Sequence, residues 1–374
     1  ISLILSASIS VPSYLFPQRN IVMTMQPHAV LITGGCGFIG SNFINYVFDR
    51  WPSTSFVNID KLEFGASEEN VESKVTKSER YKFICGNVQN LELLLRTLRE
   101  YKEVNRQRLQ IDTVIHFAAI THVDESYSDR VGTIVENVLS TTTLLEAVTF
   151  HYQNLRRFVH ISTDEVYGDS KNDIAPKNEK SLLNPTNPYA ASKGACELIL
   201  NAYWHSYKVP YVMVRMNNVY GPRQARSKLI PKFTTLAIEG KPYPLMGDGQ
   251  HTRSWMYVDD CAEAILKVTE NGRLGETYNI GTDFEKRNYD LTLQIHDTVA
   301  KLLDREKSSP QFRHIPDRPY HDRRYYIDFS KINSEMNWRC TTDFNVGLAK
   351  TIEYYVNEYK KNAEREDEGT RLQG

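Results

Sequence analysis

The run AVLITGGCGFIG, Ala29–Gly40, decides the fold. Its first five residues, Ala29–Thr33, are apolar or β-branched with no polar alternation, the pattern of a strand buried on both faces. Gly34, Gly37 and Gly40 follow at three-residue spacing, and residues 41–50 then read as a helix. A strand, a tight glycine turn and a helix N-terminus together make a pyrophosphate cradle. The missing side chains let the backbone approach closely, and the helix end favours negative charge. Asp60 ends the next strand, SFVNID (Ser55–Asp60), 20 residues beyond Gly40. A carboxylate there accepts hydrogen bonds from adenosine ribose hydroxyls and repels a 2′-phosphate, so NAD is expected rather than NADP. The competing reading of Asp60 is an ordinary strand-end cap.

Outward from this run, short apolar strands alternate with helical stretches. YKFIC (Tyr81–Cys85), TVIHF (residues 113–117), RFVHI (residues 157–161) and YVMVR (residues 211–215) read as strands, and residues 91–99 carry leucines at helical spacing. Buried strands separated by helices predict an α/β fold with a Rossmann-type, doubly wound parallel sheet. Beyond about Gly221 the pattern turns irregular and rich in Pro, Gly and aromatics, which predicts a smaller mixed α/β C-terminal domain. The expected division is 26–215 for NAD binding and 216–360 for substrate, partly interleaved with the first. Residues 361–374 read as a charged tail that frays. Residues 1–25 read as a disordered or non-native leader, because no Lys or Arg precedes Arg19 and Pro12 and Pro17 interrupt the apolar run.

Composition narrows the function. The chain has 374 residues, with 45 Lys and Arg against 46 Asp and Glu, a balance that argues against nucleic-acid binding. Five scattered cysteines without a C-x-x-C pair argue against a disulfide scaffold or a zinc site, so no metal is expected and the compartment is read as reducing and cytoplasmic, with no membrane partner.

Two further patterns carry chemistry. Tyr189 and Lys193 stand four apart, one turn along a helix, and an ammonium near a phenol favours the phenolate that could deprotonate a substrate hydroxyl. Asn187-Pro188 supplies the helix entry. At the end of the fifth expected strand stands Ser162-Thr163-Asp164-Glu165-Val166-Tyr167-Gly168, where α/β sheets build their sites. Adjacent carboxylates there are unfavourable unless one serves as acid and the other as base. The alternative is that both merely cap a helix.

G-x-x-G-x-x-G, Y-x-x-x-K and the strand order resemble the extended short-chain dehydrogenase/reductase family. Within it, STDEVYG, HFAAITHVD (residues 116–124), NPYAASK (187–193), NNVYGP (217–222), KLIPKF (228–233) and DRPYHDRRY (317–325) resemble the nucleotide-sugar 4,6-dehydratases, and most closely those acting on dTDP-D-glucose. The resemblance covers residues 29–355. It implies a hydro-lyase reaction in three stages. Tyr189, with Lys193 and Thr163, takes the glucose 4-hydroxyl proton as hydride passes from C4 to NAD. Glu165 removes the C5 proton while Asp164, protonated, gives one to the departing C6 hydroxyl. Hydride then returns to C6, and NAD stays bound.

The same matching places Phe38 and Ile39 at the pyrophosphate, Asp60 and Lys61 at the adenosine ribose, and Asn87 and Val88 beside adenine. Ala118, Ala119 and Thr121 fall on the nicotinamide side, and Asn218 at a cofactor position. For substrate it implies Thr121, Thr163, Asn217, Lys228 and Leu229, with Arg253, Asn288, Arg318 and His321. Guanidinium forks suit phosphate oxygens, although either arginine could instead form a surface salt bridge. Asn87 departs from the family's usual Asp, the Gly65-Ala66 order is swapped, and Tyr320 replaces a glycine and is expected to crowd the substrate's nucleotide. These departures leave dTDP-glucose and UDP-glucose as alternative substrates. A nucleotide-sugar epimerase or decarboxylase, or a non-catalytic NAD-binding sensor, competes with the dehydratase, but none of them needs Asp164. Family likeness also implies a homodimer joined by a four-helix bundle of residues 131–149 and 189–207 from each subunit.

Overall fold

The computed structural model describes residues 25–100, 110–152, 154–306 and 308–371. The leader expected over 1–25 thus lies outside the described residues except for Met25. The strands are β1 (Ala29–Thr33), β2 (Ser55–Asp60), β3 (Tyr81–Cys85), β4 (Thr113–His116), β5 (Arg157–Thr163), β6 (Tyr211–Met216), β7 (Asn218–Tyr220), β8 (Tyr243–Met246), β9 (Thr252–Tyr257), β10 (Glu276–Ile280), β11 (Glu285–Arg287) and β12 (Phe312–Ile315). The helices in the first half are α1 (Phe38–Val47), α2 (Ser73–Thr76), α3 (Leu91–Glu100), α4 (Val123–Ser128), α5 (Arg130–Phe150) and α6 (Pro188–Tyr207). The second half adds α7 (Leu229–Glu239), α8 (Val258–Asn271), α9 (Asn288–Leu302), α10 (Ser330–Met336) and α11 (Phe344–Arg371).

Seven strands form one sheet in the order β10-β6-β5-β4-β1-β2-β3, every pair parallel. Successive side chains of a strand point to opposite faces, so β1 feeds two cores. Val30 and Ile32 join a cluster with residues of α1 and α8, while Ala29 and Leu31 join one with residues of α3, α5 and α6. This is why β1 shows no polar alternation: neither face meets water.

After Met216 the chain leaves this sheet and comes back. β11-β9-β7 form a three-stranded sheet and β12 pairs with β8, but β10 returns to the main sheet beside β6 and α8 packs against α1. β11 and β12 are three and four residues long, too short to show a period that a sequence reading could use.

Helix bounds shift in explicable ways. α1 begins at Phe38 rather than residue 41, because Gly37 already takes the extended N-cap conformation. The backbone of α11 stays helical through Arg371, where fraying was expected after Lys360. Lys, Glu, Arg and Ala are strong helix formers, and Lys361 pairs with Glu358 one turn back at 3.1 Å. No described helix is long and apolar enough to cross a membrane.

Candidate active site

At the end of β1 the chain turns at Gly34, whose φ of +72° favours glycine. A Cβ on Gly34 would stand 2.6 Å from the Ala118 backbone nitrogen, and one on Gly40 would stand 2.3 Å from the Gly34 carbonyl oxygen. Gly37 caps α1 without a side-chain bond, so the first amides of the helix remain for an anion. Asp60 does more than the sequence implied. One carboxylate oxygen accepts from the Cys36 amide at 2.9 Å and the other from the Leu62 amide at 2.8 Å, which pins the glycine loop to β2. Each oxygen keeps a second lone pair for a ribose hydroxyl. Lys61 is held by Glu63 and Glu136 at 2.7 and 2.8 Å.

A cavity of about 480 Å³ lies at the carboxyl ends of these parallel strands, and every candidate site residue named from the sequence lines it. The β4–α4 loop that carries Ala118, Ala119 and Thr121 is fixed from α5. Asn137 accepts from the Ile120 amide at 2.7 Å and donates to its carbonyl at 3.0 Å. The glycine cradle, the uncapped helix end and the Asp60 lone pairs fit the phosphates and ribose of a dinucleotide.

The residues read from the sequence as catalytic sit where β5 gives way to a single 3-10 turn, Asp164–Tyr167. Asp164 is 2% exposed. Burial, reinforced by the neighbouring Glu165 charge, pushes its carboxyl up to about 7, although Asn217 donates to it at 2.7 Å and favours the anion. Glu165 is half-buried and accepts from Asn187 at 3.0 Å, while the Tyr325 hydroxyl, 3.3 Å away, gives its one proton to the nearer Asp322 at 2.6 Å. Tyr189 and Lys193 are buried on α6 and line the same cavity. Burial and the Glu165 charge raise the Tyr189 phenol, with Thr163 opposing, and burial lowers the Lys193 ammonium. The direction at Tyr189 is opposite to that expected from the sequence, because desolvation of the phenolate dominates.

On the other side, Lys228 donates to the Thr121 carbonyl at 3.0 Å, and the Arg253 guanidinium lies 4.7 Å over the Tyr325 ring. Arg318 pairs with Asp124 at 2.6 Å. Asn288 Oδ1 and Trp255 Nε1 are buried without a hydrogen-bond partner among the described residues, and both residues line the cavity. Such orphaned groups mark a place for a polar ligand. Tyr320 departs from expectation: its side chain is 52% exposed, it is absent from the cavity lining, and its carbonyl accepts from Tyr127 at 2.7 Å. It does not crowd the cavity.

Asn187 was read from the sequence only as a helix entry, and Tyr325 and Trp255 were not singled out. The first two stand inside motifs already quoted, NPYAASK and DRPYHDRRY, so motif membership pointed to their neighbourhood. Only the fold brings both against Glu165.

Comparison with known proteins shows which family the chain resembles. The family model described as GDP-mannose 4,6 dehydratase matches residues 31–351. A trifunctional UDP-glucose 4,6-dehydratase/UDP-4-keto-6-deoxy-D-glucose 3,5-epimerase/UDP-4-keto-L-rhamnose-reductase of Arabidopsis thaliana is 40% identical over 335 residues, covering 89% of this chain and 48% of the relative. The chain thus spans about half the length of the plant relatives it matches. The dTDP-glucose 4,6-dehydratase of Shigella flexneri is 37% identical, covering 87% of this chain and 92% of that one. Among solved structures, the dTDP-glucose 4,6-dehydratase DesIV of Streptomyces venezuelae, crystallised with NAD, matches with a TM-score of 0.78 at 36% identity, over 88% of this chain and 97% of that one.

Proposed function

The chain belongs to the family described as GDP-mannose 4,6 dehydratase, and on that premise we propose that it converts dTDP-D-glucose to dTDP-4-dehydro-6-deoxy-D-glucose with NAD. One observation carries the reading. Asp164, protonated up to about pH 7, stands next to a half-buried Glu165 in the cavity that also holds Tyr189 and Lys193. Elimination of water needs an acid and a base at neighbouring carbons, whereas a 4-epimerase needs neither. When bound, NAD supplies the acceptor for the C4 hydride and returns it to C6.

The protein's own groups handle the protons. Tyr189 takes the 4-hydroxyl proton, with Thr163 orienting the hydroxyl and Lys193 offsetting the phenolate charge. Glu165, steadied by Asn187, takes the C5 proton once the 4-ketone has acidified it. Asp164 gives its proton to O6, and water leaves. Asn217 aims Asp164 through its amide. Arg253, Arg318 and His321 suit the diphosphate, and Asn288 a ligand hydroxyl or carbonyl.

UDP-glucose is the second reading, because the relatives at 38–40% identity carry that substrate in their names. Incubating the protein with each substrate in heavy water, without added NAD, and weighing the products tests both. The expected product has lost one water and gained one deuteron at C5, and the faster substrate identifies the nucleotide. No conversion of either, even with NAD supplied, sinks the dehydratase reading. We further propose a homodimer through α5 and α6, whose outer faces expose Val131, Val135, Leu139 and Leu198, and residence in the reducing cytoplasm, which suits five unpaired cysteines.

A further inference from the structure

Lys61 follows Asp60 at the carboxyl end of β2, where a cationic residue would meet the 2′-phosphate of NADP. Here its ammonium faces two carboxylates. Glu63 Oε2 lies 2.7 Å from Nζ, and Glu136 Oε1, from α5, lies 2.8 Å from it. The loop after β2 turns through Leu62 and Phe64, at φ +60° and +55°, and Glu63 folds back onto the lysine two residues before it. Glu136 is fixed from a second side. Its other oxygen accepts from Gln89 Nε2 at 2.6 Å, and the Gln89 backbone amide donates to Asn87 Oδ1 at 2.8 Å. One α5 carboxylate thus ties together the loops that follow β2 and β3. The Lys61 side chain is 29% exposed and that of Glu136 20%, so water and salt screen this pair only in part. Lys61, Glu63, Glu136 and Asn87 line the cavity together with Asp60.

We propose that Glu63 and Glu136 determine cofactor specificity: by pairing Lys61 they withhold from a 2′-phosphate the cation next to Asp60, and so hold the chain to NAD. Asp60 does not do this unaided. The Cys36 and Leu62 amides already donate to its two oxygens, which blunts its repulsion of a phosphate. A free ammonium at Lys61 would offset the rest and add a charge-assisted hydrogen bond to the phosphate. With Glu63 and Glu136 in place, three carboxylates face one ammonium, and a phosphate must displace one of them to reach it. Although burial opposes it, hydrogen bonds to Glu136 and Glu63 raise the Lys61 pKa, so the lysine stays charged and paired. A 2′-hydroxyl meets no such barrier, because it carries no charge and donates to Asp60. This device governs which cofactor is held, whatever sugar is then turned over.

The full chain, freed of nucleotide, is titrated with NAD and separately with NADP by calorimetry. Binding needs neither substrate nor turnover, so failure here leaves the dehydratase reading standing. The parent should prefer NAD. Glu63→Gln combined with Glu136→Gln, with Asp60 left in place, should raise the ratio of NADP to NAD affinity at least about tenfold, within what charges a few ångströms apart are worth near a surface. The gain should shrink as salt rises, which a merely structural change would not do. Adding Lys61→Ala to that pair should take the gain back. Far-UV circular dichroism checks that each variant folds. If the double variant does not fold, Glu63→Gln alone decides by a rise in the same ratio, because its side chain is 52% exposed and tolerates change. An unchanged ratio in the folded variants, or a gain that persists in full without Lys61, overturns the proposal.

Discussion

Asp164 ties stability and activity to pH in one residue. Its folded carboxyl titrates at about 7 against an ordinary 3.8, so between those values the folded chain holds a proton that the unfolded chain has lost. By linkage, the Asp164 contribution makes stability fall as pH rises from about 4 to about 7. Asp164→Asn removes that slope, and thermal melts across this window should be flatter in the variant than in the parent. At the same residue, dehydration should decline above about pH 7 as the acid ionises. The variant should lose about 10²-fold or more in rate, the usual share of a general acid. A product assay over pH 5–9 reads both effects, and a variant at parental rate would remove Asp164 from the acid's role.

At the scale of elements, α6 and β5 are joined twice. Asn187 caps α6 by accepting from the Ala190 amide at 2.8 Å, and its amide donates to Glu165 at 3.0 Å. Asn187→Ala should cost about 1 kcal/mol of stability as a lost cap and also lower turnover. Asn187→Asp keeps the cap but sets a second carboxylate against Glu165, so it should retain stability better than activity. Denaturant midpoints paired with initial rates separate the two roles. Deeper in, Glu197 of α6 takes a fork of bonds from Arg215 of β6, the shortest 2.6 Å, and accepts from Ser162 at the end of β5. Arg215 also donates to the Tyr167 hydroxyl at 2.7 Å. Removing one partner strands a buried charge, so Glu197→Ala should cost roughly 3–5 kcal/mol, read as a shift in the urea midpoint. Glu197→Ala combined with Arg215→Met should cost less than Glu197→Ala alone.

At the scale of the whole molecule, the outer face of α5 and α6 exposes apolar side chains. Val131 and Leu198 are 72% and 64% exposed, and Phe150 and Tyr207 meet edge to face, their centroids 4.9 Å apart. Apolar side chains exposed along one helix face suit a partner surface. Leu139→Glu with Leu198→Glu should convert a dimer to monomer in sedimentation velocity without unfolding the subunit. A monomeric parent protein would end the dimer proposal.

The sequence by itself determined whatever depends on near neighbours. The strand–glycine–helix run fixes a nucleotide cradle because its geometry needs only local backbone freedom. Ser162–Gly168 and the Tyr189/Lys193 pair stand out as candidates through short spacing, and the roles expected of them come from the family resemblance. The parallel sheet follows from strands such as Ala29–Thr33 with no polar face. Tertiary structure decided the rest. The return of β10 to the main sheet is invisible in a five-residue run. Asn217 reaches Asp164 across 53 residues and Tyr325 comes beside Glu165 across 160. The lifted Asp164 and Tyr189 protons and the pairing of Lys61 with Glu136 also needed the fold. Desolvation belongs to the volume around a group, and that volume is filled by residues distant in the chain.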